Sequence, residues 1–447
     1  MRSSSGLIET DMIPSSSNLW MVSSSGSELL LDISTHSPRV LTTRFNPMER
    51  DDFIRLLSPE GQELLAKSAA YADKGDVVKL VSQLRAQGHD ALLVAAVLTQ
   101  AKLRKRGVAK FGPFAERMLF TEPGLEQASR LSVAALHAGR FRDAKVKNVA
   151  DLGCGIGAES LALASLDIPV KAFEIDEVTA AVATYNLAPF ENATVEQADV
   201  TELDLDQFDA LFFDPARREL GGPARERAAR KFDPMAFSPT FDFVMAAAAK
   251  KPTGVKFGPG HPHEGIPDEA EAQWVSVNGD LVELSLWFGA LARPGIKRAA
   301  LLIDANGKHE ITSDSTARQD APLGDIEAFV YEPDNSVIRS HLLGQLAEQL
   351  GAHIFSPEIA YLTSSHELHS PWMKGYRVLD NLTFDRKKLK AYLREKGIGT
   401  LEIKKRGSDI VPEQLRKELQ PKGKGAATLI VTRVGDAHRV LVCESLR

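Results

Sequence analysis

Only two cysteines, Cys154 and Cys443, occur in 447 residues. They cannot build a disulfide framework or a multi-thiolate zinc site, and the start of the chain lacks the basic-then-apolar pattern of a secretory signal, so a reducing, cytoplasmic setting is expected. Long apolar runs are missing too. The longest uncharged ones, such as Ala91 to Leu98 and Val244 to Ala249, fall far short of the roughly 18 residues that cross a bilayer, and no membrane partner is expected. What is present is ordinary for a folded chain. Hydrophobic residues make up 43% and charged residues 26%, which excludes a wholly disordered or collagenous polymer, and the length predicts several domains at roughly 150 residues each.

The net charge of −6 is unevenly spread: from Lys374 to Arg447, 18 Lys and Arg oppose 9 Asp and Glu, which leaves +9 there and −15 on residues 1–373. A basic end on an acidic body suits an anionic partner, nucleic acid first, because clustered cations release counterions from phosphates. A plain solvated surface is the alternative.

Residues 1–47 are rich in serine (Ser3 to Ser5, Ser15 to Ser17, Ser23 to Ser25) and lack periodicity, so a flexible leader is expected. Residues 48–118 read as a small helical domain. Ser58-Pro59-Glu60 starts one helix, and Val77 to Ala86 and His89 to Arg106 give two more. From Val146 short β-branched or aromatic runs alternate with helical stretches, the pattern of a doubly wound α/β sheet filling residues 119–333. Strands are predicted at Val146 to Leu152, Val170 to Ile175, Thr194 to Gln197, Ala210 to Phe213 and Val255 to Phe257, with Trp274 to Leu286 and Ala299 to Ile303 closing the sheet. A helix at Val337 to Leu350 falls in a connecting segment, 334–375. Residues 376–447 read as a small basic α/β module, with helices Arg386 to Lys396 and Pro412 to Leu419 and strands Thr400 to Lys404, Ala427 to Arg433 and Arg439 to Glu444.

The most informative stretch is Asp151-Leu152-Gly153-Cys154-Gly155-Ile156-Gly157, between a predicted strand and helix. Its glycines let the chain turn sharply and let a ligand lie against bare backbone near a helix N-terminus. A dinucleotide fingerprint has related spacing, so this turn alone does not identify its ligand. Glu174 ends the second strand, where a carboxylate can accept both ribose hydroxyls, and Asp199 follows the third, within reach of an adenine amino group. Both also suit ordinary turn acids. The fourth strand ends in Phe212-Phe213-Asp214-Pro215-Ala216-Arg217-Arg218, an acid and a rigid carbonyl beside the glycine turn.

This order of motifs resembles the class I S-adenosylmethionine-dependent methyltransferases, over about Phe120 to Asp304. The resemblance implies a Rossmann-like sheet, S-adenosyl-L-methionine as cofactor and methyl transfer. It places Asp151, Gly153, Gly155 and Gly157 at the methionine end of the cofactor, Glu174 at the ribose and Asp199 at the adenine. Asp214 and Pro215 match the motif that faces the substrate, with Asp214 the candidate to orient or deprotonate the acceptor. Ala216 and Arg217 stand where amino-methylating relatives have proline and an aromatic, so Arg217 is a candidate to stack on a base or meet a phosphate. Beyond it, Arg218, Arg225, Arg227, Arg230 and Lys231 interleave with Glu219, Glu226 and Asp233. Lys256 and Glu283 are substrate candidates near later strand ends. Thr121 and Gln127, where relatives close a segment over the cofactor, are cofactor candidates, and Thr121 suits a helix N-cap equally well. The pair His261 and His263 lacks a convincing third ligand, and no metal is expected.

The tail from about Leu379 to Glu444 resembles the THUMP-like domain that ends a group of bacterial methyltransferases with an Asp-Pro-Ala-Arg motif. That association implies an RNA substrate, tRNA or rRNA, with Lys404, Lys405 and Arg406 and the Pro421 to Gly425 loop meeting phosphates. Three functions remain open: an RNA methyltransferase acting by direct in-line transfer, a protein or small-molecule methyltransferase whose tail binds a partner, and a non-catalytic RNA-binding protein. Cys154 lies inside the glycine turn, which disfavours a covalent cysteine mechanism.

Overall fold

A computed structural model describes residues 19–24, 27–32, 39–42, 49–68, 77–217 and 237–446. The central element is a nine-stranded sheet made of β1 (Val149–Leu152), β2 (Val170–Glu174), β3 (Ala193–Gln197), β4 (Ala210–Phe213), β5 (Thr253–Phe257), β6 (Glu271–Val277), β7 (Asp280–Phe288), β8 (Arg298–Asp304) and β9 (Gly307–Ser313), in the order β9-β8-β6-β7-β5-β4-β1-β2-β3. β1 pairs in parallel with β2 and β4, β4 with β5, and β6 with β8, whereas β7 is antiparallel to β5 and β6. The order reverses at β1, where a doubly wound sheet opens a ligand crevice beyond its strand ends. β1 and β4 are buried along their whole length, as parallel strands covered on both faces require. Leu152, Phe213, Val255, Trp274, Leu284 and Leu286 join one apolar core behind that rim.

Most of these strands match the apolar runs in the sequence within a few residues. Trp274 to Leu286 is a correction: it is a hairpin, β6 and β7, turning at Asn278 and Gly279, both at positive φ. An Asn-Gly pair supplies such a turn without interrupting the alternation on either side. Strand β9 also lacks a counterpart in the sequence reading.

The chain separates into two compact units, one of residues up to Ala134 with Gly155–Leu161 and Glu174–Gln197, the other of Ala135–Cys154, Ala162–Phe173 and Ala198 onward. In the first, helices Arg50–Leu57, Pro59–Ser68, Val77–Ala86 and Ala91–Phe111 follow one another. Asp90 caps the last, accepting from the amides of Leu92 and Leu93 at 3.1 and 3.0 Å. Within the serine-rich leader, where no regular element is expected, Leu19–Ser24, Ser27–Asp32 and Arg39–Thr42 form a three-stranded antiparallel sheet. Each strand is a four- to six-residue run, too short to stand out as a period among the serines.

In the second unit the expected helix at Val337 to Leu350 is two helices, Asn335–Arg339 and Leu343–Leu350, broken where His341 adopts φ 64°. The C-terminal sheet has seven strands: β10 (Phe329–Pro333), β11 (His353–Ile354), β12 (Leu362–Ser364), β13 (Met373–Thr383), β14 (Ile398–Lys405), β15 (Gly425–Val434) and β16 (Ala437–Ser445), in the order β11-β12-β10-β13-β16-β15-β14. Residues 334–375 therefore do more than connect. They supply β11 and β12, and β13 runs across the expected 375/376 boundary.

Candidate active site

β1 delivers Asp151, fully buried, into the turn. The amides of Gly153 and Cys154 both donate to the carbonyl of Phe173, at 2.9 and 3.0 Å, which ties the turn to the end of β2. Gly153, Gly155 and Gly157 stand at φ 89°, 56° and 89°, backbone that side chains with a Cβ rarely adopt. A Cβ on Gly153 would meet the carbonyl oxygen of Asp214 at 3.0 Å, whereas one on Gly155 would enter open space. The turn thus brings two motifs into backbone contact at Gly153 and leaves open space beside the Cα of Gly155. That cradle fits a ligand laid along the peptide.

Within the first unit, Glu174 accepts from the amide of Gly155 through Oε2 and from that of Asp176 through Oε1, both at 3.0 Å. Burial raises its pKa above the ordinary value, opposed by those amides. Asn186 is buried and clamps the backbone. Its Nδ2 donates to the carbonyls of Leu119 and Ile156, both at 3.0 Å, and its Oδ1 accepts from the Leu119 amide at 2.8 Å. Gln100 grips the next residue, donating to the Phe120 carbonyl at 2.7 Å and accepting from its amide at 3.0 Å. The segment leading to Thr121 and the glycine turn are thereby fastened to helix Glu177–Leu187. Thr121 is buried and N-caps helix Glu122–Gln127, its Oγ1 accepting from the Gly124 amide at 3.0 Å. Gln127 is exposed.

In the second unit, Asp214 leaves β4 and Lys256 lies on the neighbouring β5, with Lys256 Nζ 2.6 Å from Asp214 Oδ2. Pro215 behind it is buried. Lys256 is in register with Ser285 of β7. Ser285 donates to Glu283 Oε1 at 2.8 Å, and His137 Nε2 lies 2.9 Å from the same oxygen. His137 and Glu283 are nearly fully buried. Burial would raise the Glu283 pKa, but His137, Lys256 and the Ser285 hydroxyl outweigh it and hold the carboxyl below its ordinary value. The result is a chain of titratable groups running from half-buried Asp214 through Lys256 to buried Glu283 and His137, contributed by the end of β4, by β5, by β7 and by helix Leu131–Asp143. Asp214, Lys256 and Glu283 stand out in the sequence, and His137 does not. Its signal is a polar residue in the apolar stripe Val133, Ala134, Ala138, Phe141 of helix Leu131–Asp143.

The remaining candidates occupy both exposed and engaged positions. Asp199 is exposed and caps the short turn Val200–Glu202, its Oδ1 accepting from the Thr201 amide at 2.9 Å and hydroxyl at 2.7 Å. Arg217 belongs to a two-residue strand paired with Phe237–Ser238, and its side chain lies outside the described residues, as do Arg218, Arg225, Arg227, Arg230, Lys231, Glu219, Glu226 and Asp233. Lys404 does not face outward: its Nζ sits 2.7 Å from Glu332 Oε2 and above the Tyr376 ring. Arg406 lies over the ring of Tyr361 and donates to the Ala360 carbonyl. Lys405 is exposed. This difference follows from strand alternation, which turns successive side chains of β14 to opposite faces. His261 stacks on Phe257 at 4.5 Å, and no group of three metal-ligating side chains occurs among the described residues.

Residues 373–445 match the family described as THUMP domain-like, and residues 49–107 match a domain of unknown function. An uncharacterized S-adenosylmethionine-dependent methyltransferase of Mycobacterium tuberculosis, found in strains CDC 1551 / Oshkosh and ATCC 25618 / H37Rv, is 30% identical over 341 residues, or 74% of this chain and 91% of the relative. A crystal structure described as a methyltransferase of Porphyromonas gingivalis W83 shares the fold, with a TM-score of 0.64 and 20% identity over 86% of this chain and 98% of that one. A Rossmann-like sheet with a glycine turn and strand-end acids, joined to these likenesses, leads to one conclusion: the chain belongs to the class I S-adenosylmethionine-dependent methyltransferases, takes S-adenosyl-L-methionine as its cofactor and carries a THUMP-like domain at its C-terminal end.

Proposed function

We propose that this enzyme methylates RNA, a tRNA or rRNA, by direct in-line transfer, and works in the cytoplasm. The observation that carries the reading is the THUMP-like match, whose residues 373–445 carry a net charge of +8. Helix Arg386–Glu395 supports it, with Lys387, Lys388, Lys390 and Arg394 all exposed, as do exposed Lys405, Lys422 and Lys424. Such a face meets a phosphate backbone through charge and positions the RNA without reading its sequence. Lys404 and Arg406, engaged with Glu332 and Tyr361, support the strand rather than touch phosphate.

For the cofactor, Asp151, Gly153, Gly155 and Gly157 would hold the methionine end, Glu174 the ribose and Asp199 the adenine, with Thr121 and Gln127 closing over it. When bound it supplies a methyl group already activated on sulfonium. The chain's own residues then orient the acceptor and exclude water. Asp214 holds the acceptor nucleophile or takes its proton, Lys256 and Glu283 fix Asp214 from behind, and Pro215 presents a rigid carbonyl. Arg217 is suited to stack on the target base or bind its phosphate. Both cysteines are buried, and burial pushes the Cys443 thiol up to about 12, which supports transfer without a covalent enzyme intermediate. The test is a mass-spectrometric comparison of modified nucleosides in total RNA from cells with and without the gene. One methylated nucleoside should disappear from the deletion strain and return with the intact gene but not with Asp214→Ala. Unchanged nucleosides alongside lost protein methylation would refute the RNA reading.

A further inference from the structure

A cavity of about 510 Å³ opens among the loop after β5, the start of β8 and the break between helices Asn335–Arg339 and Leu343–Leu350; His263, Glu264, Asp268, Arg298, Thr316 and His341 help to line it. None of the residues assigned above to the cofactor or the acceptor belongs to this lining. Arg298 is only 5% exposed, and its Nε has no hydrogen-bond partner among the described residues. Its Nη1 is spent on the Lys297 carbonyl at 3.0 Å. The His263 ring stacks on Trp274 and, at 3.8 Å, on His341, yet both of its nitrogens are buried without a partner. A neutral imidazole carries one N–H, so Arg298 Nε and one His263 nitrogen are two buried donors left unmet, each at a cost of about 1–3 kcal/mol, and together they mark a place built for an acceptor.

The electrostatics choose the sign of the ligand. Burial, then the positive charge of His341, Arg339, Arg298 and His261, holds the His263 pKa down to about 3. Glu264 and Asp268 are exposed at the mouth, and neither bonds the Arg298 Nε. A metal cation would be repelled by the buried guanidinium, whereas an oxyanion would satisfy it. We propose that this cavity binds a phosphate group, anchored by Arg298 and His263, with His341 and Thr316 completing the donor set. A cavity of this volume exceeds a bare phosphate, so the group belongs to a larger molecule of about nucleotide size. Its source is either an RNA strand or a free phosphorylated metabolite. The inference stands whether or not RNA is the methyl acceptor.

Calorimetric titration of the full chain with inorganic phosphate, sulfate and uridine 5′-monophosphate tests this. Saturable binding is expected, weakened about tenfold or more by Arg298→Met. His341→Asn, which suits the left-handed backbone at that position, should weaken binding several-fold in a chain that unfolds at the same temperature as the parent. Absence of binding at millimolar ligand, or equal binding by parent and both variants, overturns the proposal. If Arg298→Met also lowers RNA affinity, the phosphate is the strand's. If it abolishes mononucleotide binding and leaves RNA affinity alone, the ligand is a free phosphorylated molecule.

Discussion

Gly153 stands where two motifs touch, with the Asp214 carbonyl closing on the position a side chain would need. Gly153→Ala must bear both that approach and a φ of 89°, a cost of about 1–2 kcal/mol from the backbone alone. Its clearest effect should be weaker S-adenosylmethionine binding by calorimetry, with a small fall in melting temperature. Asp214→Ala should behave differently. It removes the group proposed to orient or deprotonate the acceptor, so kcat should drop by about 10²- to 10⁴-fold while cofactor affinity changes far less. Equal losses in both would indicate that the Asp214–Lys256 pair only shapes the pocket. The sequence made these two residues legible because each sits in a short contiguous motif. His137 was not, because its partner Glu283 lies far along the chain and only the folded sheet brings them to 2.9 Å.

At the level of elements, two buried polar clamps tie segments together. Asn186 satisfies three backbone groups on two segments. Asn186→Leu would abandon all of them in a buried place, at about 1–3 kcal/mol per group, and the loosened glycine turn should weaken cofactor binding even where the chain still folds. The second clamp is Glu271, fully buried, which pairs with Arg140 at 2.7 Å and Arg293 at 2.6 Å. Burial would raise its pKa, but the two guanidiniums outweigh that and hold the carboxyl below its ordinary value. A depressed folded pKa contributes stability that is complete above the unfolded value and is lost as pH falls through the folded one. Glu271→Gln should therefore lower the melting temperature at pH 7, by an amount corresponding to about 3–5 kcal/mol. Its disadvantage relative to the parent should shrink as pH falls below the ordinary glutamate range. A gap that stays constant in acid would remove the ion pair from the account. Elements whose apolar runs were bounded by turn residues could be read in advance. The break at His341 could not, because no proline or glycine marks it and the left-handed residue is a histidine.

For the whole molecule, charge placement is the testable quantity. Replacing Lys387, Lys388 and Lys405 together by glutamine should lower RNA affinity and flatten its dependence on salt by about 0.9 per lost phosphate contact on a duplex and about 0.7 on a single strand. The melting temperature should stay where it was, since all three are exposed. An unchanged salt slope would assign the tail to another partner. The basic composition of this region was plain from the sequence, but which lysines face outward was not, since Lys404 and Lys405 differ only by the pleat of β14.

The seven-stranded sheet also bears on how the tail can be studied. β13 hydrogen-bonds to β16 on one side and to β10 on the other, and β10 precedes the THUMP-like match in the chain. Severing the protein just ahead of residue 373 would strip β13 of its neighbour and bare a long ladder of amides and carbonyls, an invitation to stick to further copies. A fragment intended to keep its shape would have to start upstream of Phe329.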